Sequence, residues 1–174
     1  MPNPVETIAA KTAGKAAGLR ARAHGLVGVF NVLAQQHKEA ATLLGRAKEA
    51  DSPDKRRELW SAVRRELICH ERAELATVYP VIEENPLSAD ISRQHAEGAR
   101  ELESAMAEID ALGYESPRWR DSLHELSQLI QQHVEQEEQE FFPRAQDTIG
   151  KEAAHALERP FLAAIAQCKS ELAG

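Results

Sequence analysis

Aromatic residues and cysteines are scarce in this 174-residue chain. Phe, Trp and Tyr together make up 5% of the sequence, while Ala, Glu, Leu, Gln and Arg are plentiful. This balance favours helix over sheet. The two cysteines, Cys69 and Cys168, lie far apart and form no CxxC pair. The sequence therefore predicts no disulfide framework, and we expect a reducing, cytoplasmic environment.

The chain also lacks long apolar runs and blocks of one charge sign. No run of about 18 apolar residues is present, so we expect no membrane span, and the N-terminal residues lack the hydrophobic region of a signal peptide. The net charge is −7, with both signs interspersed, and such a surface has no basic patch for nucleic acid. The sequence therefore predicts a soluble protein that binds neither membrane nor nucleic acid.

Proline, glycine and serine divide the chain into segments with apolar residues at spacings of three and four, which is typical of helices. The breaks are Asp51 to Pro53, Asn85 to Ser88, Gly113 to Pro117, and Thr148 to Gly150. The predicted helices are 26–50, 53–84, 88–112, 117–147 and 151–172. We expect the last one to be bent or interrupted at Pro160.

Short connections make neighbouring helices antiparallel, so we predict an all-α fold, an up-down-up-down four-helix bundle over residues 23–148. A loosely held, helical N-terminal extension (1–22) precedes this bundle. A fifth, C-terminal helix (150–174) packs on it.

One motif occurs twice: a histidine, a glutamate four residues later and a proline ten residues later. The copies are His70–Glu74–Pro80 and His133–Glu137–Pro143. Each copy follows a second repeat, QHKEAATLL around His37 or QHAEGAREL around His95, and these agree at five of nine positions. The chain therefore reads as two halves of one design, and each half offers a His followed by a His and a Glu.

These polar residues occupy helix positions that the apolar pattern reserves for the core. A buried carboxylate without a partner is costly, and no Lys or Arg takes a matching core position. Metal ions would neutralise the carboxylates, and the interior of a helix bundle is a common place for such sites. The sequence therefore predicts a two-metal site with the ligands His37, His70, Glu74, His95, His133 and Glu137.

The order His, HxxxE, His, HxxxE, with Tyr-Pro or Phe-Phe-Pro following, resembles the hemerythrin-like HHE cation-binding family over about residues 23–144. The resemblance implies a four-helix bundle that holds two iron ions bridged by an oxygen species. It also implies that the six residues named above are the ligands and that Glu74 and Glu137 bridge the ions. Oxygen-carrying hemerythrins have a fifth histidine where this chain has Ala99. They carry the last carboxylate at the place of Glu138, but we prefer Glu137 because it repeats the four-residue spacing.

With four imidazoles rather than five, both ions would keep open or water-filled positions. The resemblance then implies a protein that binds or reacts with small oxidants such as O2, NO or H2O2, in oxidative or nitrosative stress. Peroxide turnover is the favoured activity. Reversible O2 or NO binding, sensing and iron storage are the alternatives. No flavin motif or cysteine set supplies electrons, so a reductase would need an external electron donor.

The remaining candidate residues are assigned to packing or to the surface. Tyr79 and Phe142, each one residue before a motif proline, are expected to pack around the site. His24, His124 and His155 fall outside the core pattern, so we expect them at the surface. The sequence does not determine the oligomeric state.

Overall fold

The computed structural model describes residues 4–86 and 88–172, and every regular element in these ranges is a helix. The helices are α1 (Pro4–Ala23), α2 (Gly28–Glu49), α3 (Pro53–Thr77), α4 (Tyr79–Glu83), α5 (Ala89–Asp110), α6 (Pro117–Gln136), a π-helical turn (Glu137–Phe141), α7 (Phe142–Ile149) and α8 (Lys151–Glu171). None of these described helices is long and apolar enough to cross a membrane. Residues 1–3 and 173–174, at the predicted ends of the two flanking segments, and Leu87, in a predicted break, lie outside the described residues.

The regular α-helical pattern is interrupted near the motif proline in both helices that carry one. The predicted second helix divides at Val78 into α3 and α4, and Pro80 lies in the first turn of α4. The predicted fourth helix passes through the π-helical turn before Pro143. A proline has no N–H to donate to the carbonyl four residues earlier, so the regular α-helical pattern is lost there.

Pro160 has no such effect, because α8 runs through it without interruption. The predicted interruption at that position is wrong. Phe161 and Ile165 of α8 are buried in the core, and we attribute the continuity to this packing, which offsets the loss of one backbone hydrogen bond.

The core lies among α2, α3, α5 and α6. Contacts between α2 and α3, α5 and α6, α2 and α6, and α3 and α5 enclose it. At one end, the buried rings of Trp60 and Trp119 meet edge to face, with centroids 6.5 Å apart, and Trp60 Nε1 donates a hydrogen bond to Asp110 Oδ1. The predicted all-helical class is confirmed, and the up-down-up-down order stays a prediction.

Helix α1 lies closely against α2 rather than being loosely held. Gly14 and Gly18 make this approach possible, because a Cβ at either position would overlap the side chain of Glu39 or Gln35. Asn31 of α2 donates a side-chain hydrogen bond to the carbonyl of Gly18. The expectation of a loosely held extension is therefore wrong for the described part of this segment.

A disulfide joins Cys69 of α3 to Cys168 of α8, with the Cα atoms 5.4 Å apart. Both residues are buried. The prediction of no disulfide is wrong, because α8 packs along α3 and brings together residues separated by 99 positions. The pairing also removes the cysteine-based reason for expecting a reducing compartment.

Candidate metal centre

The six predicted ligands converge between α2, α3, α5, α6 and the π-helical turn. One histidine comes from each of the four long helices, Glu74 from α3 and Glu137 from the first residue of the turn. Five of the six residues are buried, and the side chain of His133 is 10% exposed. The in-phase spacing of these residues on each helix is the reason that they face the same interior space.

Potential ligand atoms in this cluster form four overlapping groups of three residues, and two of these groups, called triads below, share no residue. The first triad is His37, His70 and Glu137, and the second is Glu71, His95 and His133; within each, the atoms lie within 4.8 Å of one another. Glu74 groups with His70 on one side and with His95 on the other. Carboxylates able to reach both triads are what a pair of neighbouring metal ions requires.

The distances within each triad are short. In the first, His37 Nε2 lies 3.1 Å from both His70 Nε2 and Glu137 Oε2. In the second, His95 Nε2 and His133 Nε2 each lie 3.4 Å from an oxygen of Glu71. The nitrogens and oxygens therefore point inward rather than toward solvent.

Glu71 is the residue that sequence reasoning missed. It directly follows His70, it is 5% exposed, and it belongs to two of the four groups that could hold a cation. A signal was present, because Leu67, Glu71 and Glu74 continue the buried stripe of α3 at spacings of four and three. The motif with four-residue spacing drew attention to Glu74 instead.

The structure places Glu137, rather than Glu138, inside the cluster of candidate ligands. The Glu137 side chain is fully buried in the cluster, whereas that of Glu138 is 37% exposed. Glu138 Oε1 lies 2.8 Å from His37 Nδ1, on the side of the ring that faces away from the triad. Glu138 is thus placed to orient the imidazole.

Other neighbours orient the remaining groups. His70 Nδ1 lies 3.0 Å from Gln36 Oε1, which leaves its Nε2 for the interior. Tyr79 stacks on His95 at 3.8 Å between centroids, and its hydroxyl donates a hydrogen bond to Glu137 Oε1. Gly98 leaves room for the His133 ring, because a Cβ there would lie 2.9 Å from Nδ1.

Aromatic rings cover the first triad. Phe142 stacks on His37 with centroids 5.7 Å apart, and Phe161 of α8 meets His70 edge to face. Tyr79 and Phe142 thus pack around the cluster, as the sequence predicts. The three histidines expected at the surface, His24, His124 and His155, are exposed.

The pKa values of several buried His and Glu side chains are shifted because these charged groups lie close together and away from water. Burial lowers the pKa of His70 well below its usual range, and the charge of His37 adds to this. Burial also lowers the pKa of His37, but the nearby carboxylates of Glu137 and Glu138 outweigh it and raise the pKa to about 9. Burial raises the pKa of Glu74 well above its usual range, and the Glu137 charge acts in the same direction. Burial would raise the pKa of Glu137 too, but His133 and His37 hold it well below its usual range.

Many buried polar atoms of the cluster have no hydrogen-bond partner. They are Glu71 Oε2, both oxygens of Glu74, both ring nitrogens of His95, His133 Nε2 and Glu137 Oε2. His95 Nδ1 lies 2.8 Å from a Glu137 oxygen, but not in hydrogen-bonding geometry. No Lys or Arg is among the buried residues of the described chain. Buried carboxylates without a cation are strongly unfavourable, so this donor set fits bound metal ions.

One comparison with known proteins, the match to a family model, agrees with a cation-binding site. A family model described as "Hemerythrin HHE cation binding domain" matches residues 28–145. A protein named "DNA nickase" from Nostoc sp. (strain PCC 7120 / SAG 25.82 / UTEX 2576) is 22% identical over 146 residues, which are 84% of this chain and 41% of that protein. The chain thus spans about two fifths of the length of this curated relative. No solved structure is found to match the chain.

Proposed function

Because the chain belongs to the hemerythrin HHE cation-binding domain family, we propose that it holds two iron ions and reacts with small oxidants, with peroxide turnover as the favoured activity. The observation that carries this proposal is the pair of triads that share no residue. His37, His70 and Glu137 would hold one ion, and Glu71, His95 and His133 the other. Glu74 and Glu137 would bridge the two, in the up-down-up-down bundle that the sequence predicts.

Bound iron would supply Lewis acidity and a change of redox state. The residues of the chain would provide space for a small molecule, position the ligands and limit the entry of water. A cavity of about 20 Å³, lined by His37, His70, Glu71 and His133 among others, has room for a molecule the size of water. Tyr79 holds Glu137 in place through its hydroxyl, and the rings of Phe142 and Phe161 limit the entry of water.

Disproportionation is the form of peroxide turnover that this chain can perform without an external donor. Two molecules of H2O2 give one O2 and two H2O, so electrons balance between the two substrates. Peroxidase-type reduction would instead need an electron donor from outside the chain, as the sequence suggests.

Metal analysis followed by an oxygen electrode tests the proposal. Protein purified without added metal or chelator should contain about two iron ions per chain by mass spectrometry. The iron-loaded protein should release O2 from H2O2, and protein stripped with a chelator should not. One zinc, or no metal, would contradict the two-iron proposal.

Reversible binding without turnover is the alternative within the same site. Two-iron protein that forms a stable optical spectrum with O2 or NO, yet releases no O2 from H2O2, would favour a binding or sensing role. Iron that loads and leaves without either response would favour storage.

DNA nicking is a second candidate, favoured by the similarity to the protein named "DNA nickase" over 84% of this chain. The net charge of −7 acts against DNA binding. Supercoiled plasmid incubated with iron- or manganese-loaded protein tests this candidate. Nicking that disappears in a His133→Ala variant would support it, whereas nicking that persists would indicate a contaminant.

A further inference from the structure

A cleft of about 890 Å³ lies between α1, α2 and α6, beside the candidate metal centre. Its volume is in the range of sites that take organic molecules of drug size. His37 of α2 lines it, and Glu138 and Pro143 line the end near the π-helical turn. The cleft therefore opens directly beside the first triad.

Helix α1 forms one wall of this cleft, and it lies outside the residues that the family model matches. The close approach at Gly14 and Gly18 fixes α1 on α2. On the cleft side, α1 presents the small residues Ala17 and Ala21, which leave the space toward α6 open. This wall of the cleft is therefore supplied by a helix outside the residues that the family model matches.

The floor of the cleft is apolar. Leu26, Ala34, Leu44 and Ile130 line it, and all four residues are buried. The apolar body of a ligand lying on this floor would itself be removed from water, which is favourable in proportion to the area covered.

The charges at the rim differ between the two walls. Arg20 of α1 and Lys38 of α2 line the cleft and have no ion pair among the residues described. On the opposite wall, Glu138 contacts His37, and Glu135 accepts a hydrogen bond from the neutral amide of Gln131 and keeps its negative charge. The positive charge is therefore concentrated on the wall of α1 and α2, where Arg20 and Lys38 complement an anion.

The cleft also adjoins the small cavity of the metal centre. His37, Ile130 and Val134 line both spaces, so these side chains form the partition between them. A molecule lying in the cleft would cover this partition and reach the outer face of His37.

We propose that the cleft binds a medium-chain organic carboxylate, whose chain lies on the apolar floor and whose anionic group pairs with Arg20 and Lys38. The occupant covers the partition at His37, Ile130 and Val134 and so controls entry to the centre. The proposal that a carboxylate binds depends only on the cleft. The proposal that it controls entry to the centre rests on the proposed function.

Calorimetric titration of the protein as purified, with octanoate as the probe, tests the binding. Octanoate should bind more tightly than 1-octanol or octylamine, which share the chain but lack the negative charge. The double variant Arg20→Glu/Lys38→Glu should bind octanoate at least roughly tenfold more weakly. The control Arg93→Glu/Arg100→Glu makes the same charge change at exposed positions of α5 and should leave binding unchanged. Ala41→Trp, which places a large ring in the cleft, should abolish binding.

Equal binding of octanoate and 1-octanol, equal weakening by both double variants, or no heat with octanoate would each overturn the proposal. Saturating octanoate should slow peroxide turnover in the wild type and have no effect in the Ala41→Trp variant. If the protein has no turnover at all, the proposed function fails while the titration still decides the binding. If turnover is present and octanoate binds without changing it, only the control of entry is wrong.

Discussion

Glu71 and Val134 occupy equivalent places in the two motif copies, one residue after His70 and His133, and they differ in charge. Glu71 adds a third carboxylate to the interior beside Glu74 and Glu137, whereas Val134 lines the partition with the outer cleft. The two halves of the site are therefore not equal. The repeated motif predicted the ligands that occur in both copies. It did not predict Glu71, because the second copy has Val134 at the equivalent position.

Replacing Glu71 tests its place in the second triad. Glu71→Gln keeps the shape but removes the charge, so we expect the ion at His95 and His133 to bind much more weakly. Iron content should fall from about two ions per chain toward one. The matched change Glu125→Gln, at an exposed position of α6, should leave about two ions in place. The same iron loss in both variants would mean that Glu71 has no special role.

Glu74 allows a test that needs no metal. It is fully buried, and neither of its oxygens has a hydrogen-bond partner. In protein stripped of metal, Glu74→Leu should raise the free energy of unfolding by about 1–3 kcal/mol, because an unsatisfied buried group is removed. Urea denaturation in the presence of chelator measures this, with Glu125→Leu on the exposed face of α6 as control. A less stable Glu74→Leu variant would show that the carboxyl stabilises the metal-free core.

At the scale of helices, the sequence predicts where helices start and are interrupted, because these features depend on neighbouring residues. It does not predict contacts that depend on packing between residues far apart in the sequence. Ser52 and Pro53 start α3 as the capping rule expects, with the Ser52 hydroxyl accepting a hydrogen bond from the Lys55 amide. The interruptions of the α-helical pattern near Pro80 and Pro143 follow from the missing proline N–H. The pairing of Cys69 with Cys168 depends on how α8 lies on α3, and no local pattern encodes that arrangement.

The disulfide between α3 and α8 should stabilise the fold. It closes a long loop, and such cross-links contribute about 2–5 kcal/mol by restricting the unfolded chain. Cys168→Ser should lower the urea midpoint under non-reducing conditions. Full reduction of the wild type should lower it by a similar amount and should not affect the variant. A variant as stable as the oxidised wild type would mean that the packing of α8 suffices without the bond.

For the molecule as a whole, the sequence predicted the all-helical class and the family, because both depend on periodic patterns that recur in each half. It also named six residues that the fold brings to one place. It did not foresee that α1 packs closely on α2, since that contact depends on two glycines whose effect appears only when the second helix is present. The cleft between α1 and α6 follows from this contact.

The candidate metal centre draws its residues from helices across the fold, and its three buried carboxylates face four imidazoles with no buried Lys or Arg in the described chain. Metal would bind the folded cluster and not the unfolded chain, so removing it should lower the melting temperature, and adding Fe²⁺ should restore it in a concentration-dependent way. Differential scanning calorimetry of chelated and reconstituted protein measures the effect. His70→Ala should lose most of the response to Fe²⁺, whereas His124→Ala, at an exposed position, should keep it. If Fe²⁺ does not change the melting temperature of the wild type, the cluster is stable without a cation. That result would contradict the proposal that the cluster binds metal.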